Sequence, residues 1–388
     1  MKLSPSLVNA PPEKYRDLMK NWIAILLTLV SFGALAQHED SYLDPAYGHP
    51  ALTPQARFFE STVTPPPRSD STALIARQSA VRSQGQRGTC SIFSAIGALE
   101  SMMIISEMAP REIDLSEEWL QFLVNKNSSS DGSNSDRNFW AFRSYGSVEE
   151  PLFPYIGETW KTATDTPLAT KRCGHLADSL LSSCLIVHRD PRLWTTPDET
   201  LLNPESPQYD PEFQSARHRS GEFRKSFLSK MGSSFRIYGS QAKHFLHAGF
   251  PVVVDADFFY GAWNHRRAPE LGISRNMEHW NAGIVGYPEP GSLDYLKSPE
   301  DPAGHSIVLV GYDDTVVVTT QVPMKDGRIQ EFRYQGVYYF KNSWGTSGFG
   351  NQFELQGQRF PGYGMITQKY MDEYGAFFVL PLQTRDAP

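Results

Sequence analysis

The sequence predicts an α+β fold, with helices concentrated in the first half of the chain and strands in the second. Apolar residues recur at helical spacing through 91–100. Two runs rich in β-branched or aromatic residues follow far downstream, at 304–312 and 335–345. We therefore expect a mainly helical half over about 80–235 and a β-rich half over about 236–388.

Composition and charge are those of a globular protein that does not bind nucleic acid. Hydrophobic residues make up 40% and aromatic residues 12% of 388 residues, enough for a sizeable core. The formal net charge is −7 and no long basic run occurs, so we expect no nucleic-acid partner.

The first 36 residues have the features of a secretory signal peptide. Lys20 precedes an apolar run at 22–36, which is short for a membrane span of roughly 20 residues. The run ends in small residues, so we expect cleavage after Ala36 and export to the periplasm or the medium, with Met19 as the alternative start. An uncleaved membrane anchor is the competing interpretation, and the short run disfavours it, so we expect no stable membrane anchor.

Residues 37–79 form a linker-like region before the first predicted helix. They contain several prolines, among them Pro50, Pro54, Pro65, Pro66 and Pro67. Proline favours extended backbone, and no convincing amphipathic helix is evident. We expect an extended or short pro-like segment here.

The segment 84–90 has the composition of a nucleophile loop. Gln84 lies six positions ahead of Cys90, and Gly85 and Gly88 permit an irregular turn between them. Cys90 falls on the first turn of the predicted helix, where the helix dipole favours thiolate over thiol. A cysteine that only packs in the core is the plain alternative, and the placement of Gln84 and Gly88 favours the nucleophile.

A base and an orienting group lie at the predicted strands. His305 opens the first strand, and Asn342 ends the second. A cysteine, a histidine and an asparagine on distant elements form the nucleophile, base and orienter of a catalytic triad. The alternatives are a core histidine at His305, a turn cap at Asn342, and His279 as a rival base.

These motifs resemble those of the papain family of cysteine peptidases, in the same chain order. They are Gln84-Gly-Gln-Arg-Gly-Thr-Cys90, Gly304-His305-Ser-Ile and Asn342-Ser-Trp344-Gly. Residues 114–119 and 145–155 resemble two further family passages. The resemblance implies a papain-like fold over 80–388, with a helical left subdomain, a β-barrel-like right subdomain and the active site in the cleft between them.

The resemblance also implies a role for each residue. Gln84 and the backbone N–H of Cys90 would form the oxyanion hole, His305 would be the base, and Asn342 would orient it. Trp344 would shield the bond between His305 and Asn342 from water, although a simple core role fits it nearly as well.

The chain departs from the family pattern in two ways. Arg87 stands where the family has a cysteine, so the usual disulfide beside the active site cannot form, and Ser91 replaces an aromatic residue. Cys90 and His305 lie about 215 positions apart, against roughly 130–150 in the papain group. We expect insertions at 162–226 and 264–303, and a hairpin extension around the turn Asp326-Gly327.

The other two cysteines are candidates for a disulfide. Cys173 and Cys184 are eleven positions apart, and the export signal predicts an oxidising compartment. Pairing of these two would leave Cys90 as the reactive thiol, whereas two ordinary buried thiols are the alternative.

We therefore expect a cysteine endopeptidase that acts on proteins or peptides as a monomer. No set of His, Cys and carboxylate residues has the spacing of metal ligands, so we expect neither a metal nor another cofactor. The alternatives are an acyl transferase or amidase on the same scaffold and a catalytically silent papain-like binding protein.

Overall fold

Helices dominate the first part of the chain in the computed structural model, which describes residues 43–45, 64–227 and 234–380. The helices of this part are α1 (Ser71–Ile75), α2 (Cys90–Ile105), α3 (Glu117–Asn125), α4 (Ser135–Tyr145), α5 (Pro167–Cys173), α6 (Asp178–Val187), α7 (Asp198–Leu201) and α8 (Pro211–Phe227). Short 3-10 turns occur at Glu150–Leu152 and Pro191–Trp194. All of these residues lie within one compact unit that spans 39–388.

The helix α2 is the centre of this part. It is buried on every side over most of its length, as a helix of mainly apolar residues must be in a core. The neighbouring helix α3 begins at an N-cap, because the Ser116 hydroxyl accepts a hydrogen bond from the backbone N–H of Trp119. The predicted helix that starts at the cysteine is thus confirmed, with Cys90 as its first residue.

The second part is built on one large sheet with a few short helices. Its strands are β2 (Phe235–Ile237), β3 (Val252–Asp257), β4 (Ile284–Val285), β5 (Ala303–Pro323), β6 (Ile329–Lys341), β9 (Tyr363–Thr367) and β10 (Gly375–Val379), and β7 (Glu354–Leu355) pairs separately with β8 (Gln358–Arg359). The helices are α9 (Gly239–His247), α10 (Met277–Ala282), α11 (Leu293–Lys297) and α12 (Gln368–Tyr374), with 3-10 turns at Ala268–Leu271 and Ser298–Glu300.

The strand order is β2-β10-β3-β5-β6-β9-β4, and β1 (Asp44–Pro45) also pairs with β5. All pairs are antiparallel except β4 with β9. Within the described residues no pairing joins β2 to β4, so the sheet is open where a barrel-like half is expected. The α+β class is confirmed, with a helical part followed by a part built on one large sheet.

The strand β5 is central to the sheet, and its sequence explains why. Residues 303–312 are all buried, as expected for a strand with neighbours on both sides and the helix α2 packed against it. Beyond Tyr312 the strand continues into a hairpin with β6, in which buried and exposed residues partly alternate. Gly327 has φ +84° in the connecting turn, which confirms the predicted hairpin extension around Asp326-Gly327.

The predicted insertion at 162–226 is folded mainly as the helices α5 to α8. Cys173 at the end of α5 and Cys184 in α6 form a disulfide, with their Cα atoms 5.8 Å apart. The two cysteines join Trp160, Ala169 and Leu176 in a small apolar cluster.

Within the described residues 64–79, one short stretch is helical where we expected extended backbone. The helix α1 forms there, and its residues Leu74 and Ile75 are buried in the main core. Asp70 caps α1 by accepting from the backbone N–H of Ala73, a local signal that the prolines obscured. The signal-peptide prediction for 1–36 lies outside the described residues. No helix in the described ranges is long and apolar enough to cross a membrane.

Candidate active site

The structure brings Cys90 to the start of β5. Cys90 is the first residue of α2, whose backbone N–H groups in the first turn have no partner within the helix. Its Sγ lies 4.0 Å from the carbonyl oxygen of Gly304, the residue before His305. The positive end of the helix dipole therefore lies at this sulfur and favours its thiolate form.

His305 and Asn342 are hydrogen-bonded. His305 is held in register opposite Ala256 of β3, and Asn342 follows the last residue of β6. Nε2 of His305 lies 2.9 Å from Oδ1 of Asn342. Because an amide oxygen only accepts, we assign the imidazole proton to Nε2. Among the described residues Nδ1 has no hydrogen-bond partner, so Nδ1 is the nitrogen that can act as a base.

Aromatic rings surround the imidazole of His305. The indole of Trp344 stacks on it at 4.4 Å between ring centroids, with an interplanar angle of 25°. Trp263 and Phe258 contact it edge-on, at 5.1 and 6.0 Å. The sequence analysis identified Trp344 but missed the other two, although the aromatic run at 258–263 directly after β3 is a visible signal.

This apolar enclosure disfavours the charged form of the histidine. His305 is only 2% exposed, and burial lowers its pKa to about 3, although the hydrogen bond to Asn342 acts in the opposite direction. Burial alone therefore keeps the ring neutral at ordinary pH. An imidazolium ion at this position requires a neighbouring negative charge, and a thiolate at Cys90 can supply it.

Gln84 is fixed beside these groups by Ser343. The backbone N–H of Gln84 donates to Ser343 O at 2.9 Å, and the Ser343 hydroxyl donates to Oε1 of Gln84 at 2.7 Å. Nε2 of Gln84 donates to the carbonyl oxygen of Arg87 at 2.7 Å. The loop of Gln84 is thus tied to the loop of Asn342, and its amide has a fixed orientation.

A short N-terminal strand crosses the site. Asp44 and Pro45 of β1 pair with Gly304 and Ala303 of β5. The neighbouring carbonyl oxygen of Leu43 lies so close to Gly88 that a Cβ there would meet it at 2.5 Å. Cys90 has no exposed surface in this arrangement. Residues 43–45 therefore lie against the backbone at Gly88, two positions before Cys90, and at Gly304, whose carbonyl oxygen is near the Cys90 sulfur.

His279, the rival base, lies elsewhere. It is on α10 and lines a cavity of about 450 Å³ together with Arg275, Tyr287 and Asp294. Neither Cys90 nor His305 lines that cavity. In the described part of the chain no cluster of His, Cys, Asp and Glu could hold a metal ion.

Comparison with known proteins gives one family match. Residues 66–180 match the model of the papain family cysteine proteases. A search of curated proteins finds no significant match.

Solved structures similar to the chain include xylellain, a cysteine protease from Xylella fastidiosa, with 17% identity and a TM-score of 0.49, covering 88% of this chain and 97% of that one. Digestive procathepsin L 3 of Tenebrio molitor is similar at 17% identity and a TM-score of 0.45, covering 87% and 76%. The family match over residues 66–180 agrees with the resemblance to papain-like cysteine peptidases that the sequence motifs predict.

Proposed function

We propose that the chain is an endopeptidase that cleaves peptide bonds with Cys90 as nucleophile, His305 as base and Asn342 as orienter. The observation that supports this most is the hydrogen bond between His305 Nε2 and Asn342 Oδ1, which leaves Nδ1 available to the thiol. The position of Cys90 at a helix N-terminus next to Gly304 supports it as well.

The mechanism follows from these positions. Cys90 first transfers its thiol proton to Nδ1 of His305. The resulting thiolate attacks the carbonyl carbon, while the Gln84 amide and the Cys90 N–H donate to the oxygen as it gains charge. His305 donates its Nδ1 proton to the leaving amine and a thioester forms. His305 then takes a proton from water, which attacks the thioester and releases the second product. Asn342 holds the ring, and its neutral amide does not remove the proton.

The first test is labelling of Cys90 with an epoxysuccinyl peptide, followed by mass spectrometry. We expect label on Cys90 in the wild type and its loss in His305→Ala, because only the paired thiol is activated. His279→Ala is the matched control and should label like the wild type. Label that persists in His305→Ala would contradict the proposed pair.

We also propose that the region 37–79 contains a short pro-like segment that includes β1. The pairing of β1 with β5 supports this, because it occupies the backbone at Gly304, directly before the proposed base His305. A chain that begins at Thr64 should therefore label faster with the bulky peptide probe than one that begins at Gln37. A start after Ile75 serves as the control and should impair folding, since Leu74 and Ile75 belong to the core. Equal labelling rates for the first two chains would contradict this role.

We also propose that the protein is exported from the cytoplasm. The signal features of 1–36 and the disulfide between Cys173 and Cys184 support an oxidising compartment outside the cytoplasm. N-terminal sequencing of protein recovered outside the cytoplasm should begin at Gln37, and we propose that the mature protein is a monomer.

A further inference from the structure

Arg87, which stands where the papain family has a cysteine, has a fully enclosed guanidinium. Its side chain is 1% exposed. Its donors reach acceptors on four separate segments: Glu118 Oε2 at 2.9 Å, Asp131 Oδ1 at 3.0 Å, Ile156 O at 3.2 Å and Ile186 O at 2.5 Å. The first acceptor is on α3, the second follows α3, the third precedes α5 and the fourth is in α6.

The charge of Arg87 is compensated inside the protein. Burial opposes its charge, but Asp131 and Glu118 outweigh burial and raise the pKa of Arg87 above its ordinary value. A planar guanidinium with donors on three nitrogens can bind these acceptors at once, whereas a lysine ammonium cannot. Arg87 is therefore a rigid anchor in its loop.

The backbone of Arg87 connects this anchor to the oxyanion hole. Its carbonyl oxygen accepts the hydrogen bond from Nε2 of Gln84. Tyr155 fixes the same turn from the other side, because its hydroxyl donates to Gln84 O at 3.0 Å and lies 2.7 Å from the hydroxyl of Thr89. Any shift of Arg87 must therefore move the acceptor that orients the Gln84 amide.

Some of the groups that surround the Arg87 guanidinium belong to the predicted insertion at 162–226. Ile186 lies in α6, and His188 caps that helix with Nδ1 at 3.0 Å from Glu118 Oε1. The ring of Trp160 lies 4.1 Å from that of His188 and belongs to the small cluster around the disulfide of Cys173 and Cys184. The disulfide-linked helices thus hold two of the groups that surround Arg87.

We propose that Arg87 is a positioning residue for the Gln84 amide, and that the insertion stabilises the oxyanion hole through it. In this chain the charged cluster and its distant disulfide take the place of the disulfide that Arg87 excludes beside the active site. The inference rests on the proposed peptidase function and adds to it the residues that keep one oxyanion donor in place.

The central test is Arg87→Lys in the purified chain, assayed with a peptide amide. We expect kcat to fall by about 10–10²-fold, because a displaced donor loses its contact with the oxyanion. We expect KM to change by less than about twofold, since substrate binding does not use this contact. Arg328→Lys, at an exposed arginine in the β5–β6 turn, is the matched control and should leave both constants unchanged.

Alkylation of Cys90 by iodoacetamide separates positioning from general damage. In this reaction a carbon–sulfur bond forms and iodide leaves, so no oxyanion develops. We expect the alkylation rate of Arg87→Lys to stay within about twofold of the wild type while amide hydrolysis falls. A parallel loss of both rates would overturn the inference, because the whole site would then be disturbed.

A double variant tests whether Arg87 acts through Gln84. If it does, Arg87→Lys should add less than about twofold to the loss in kcat already caused by Gln84→Ala. If the losses in kcat of the two single variants multiply in the double variant, the inference is overturned.

Glu118→Gln is a second test of the same inference. It keeps the shape of this partner of Arg87 and removes its charge. We expect it to lower kcat and to leave the alkylation rate of Cys90 unchanged.

The role of the insertion is tested with the double variant Cys173→Ser/Cys184→Ser. We expect its kcat to fall while the alkylation rate of Cys90 stays near that of the wild type. A wild type without His305-dependent alkylation of Cys90 would overturn the proposed function and this inference with it. A fully active wild type whose kcat is unchanged by Arg87→Lys would overturn this inference alone.

Discussion

Replacing Cys90 with alanine is expected to abolish peptide hydrolysis and leave the fold intact. The substitution removes one sulfur atom at a helix start, and alanine is the best helix former. Loss of a triad nucleophile in a serine protease costs on the order of 10⁶ in kcat, and we expect a loss of that order here. The measurement is kcat on a peptide substrate, with circular dichroism to verify folding.

The same variant should change the charge of His305. Burial lowers the pKa of this histidine to about 3, so without the thiolate its ring should be neutral at about pH 6, near the ordinary histidine pKa. In the wild type we expect a thiolate at Cys90 to oppose the effect of burial, so that the ring is charged at that pH. NMR of the imidazole distinguishes the two states. A folded Cys90→Ala protein that retains turnover, or equal ring charge in both proteins, would contradict the assignment.

The sequence predicted those parts of the site whose signals are local. The helix at Cys90 follows from apolar spacing, and the strand at His305 follows from a run of β-branched residues. The hairpin extension follows from the Asp326-Gly327 turn. Each of these signals is contained within about a dozen residues of the chain.

The parts that the sequence did not predict depend on contacts between distant segments. Arg87 meets Asp131 and Ile186, which are 44 and 99 positions away, and no spacing rule connects them. Trp263 contacts His305 because β3 lies beside β5, a pairing that periodicity does not specify. The pairing of Asp44 with Gly304 spans most of the chain and could not be inferred from the prolines around it.

Gln84 differs from Cys90 in that its replacement should slow the reaction without abolishing it. Gln84→Ala should lower kcat by about 10²–10³-fold, as loss of one oxyanion donor does, while the Cys90 N–H remains as the second donor. KM should change little, because the oxygen carries its full charge only in the transition state. The measurement is kcat and KM on a peptide amide.

Gln84→Glu is the matched variant for this prediction. It keeps the shape of the side chain and can still accept the hydrogen bond from Ser343, but it replaces the Nε2 donor with a carboxylate oxygen. A negative charge beside the developing oxyanion should make kcat lower than in Gln84→Ala. If both variants retained wild-type kcat, Gln84 would be removed from the oxyanion hole. If Gln84→Ala alone lost activity, the loss would be attributed to packing, because glutamate preserves the volume and lacks the donor.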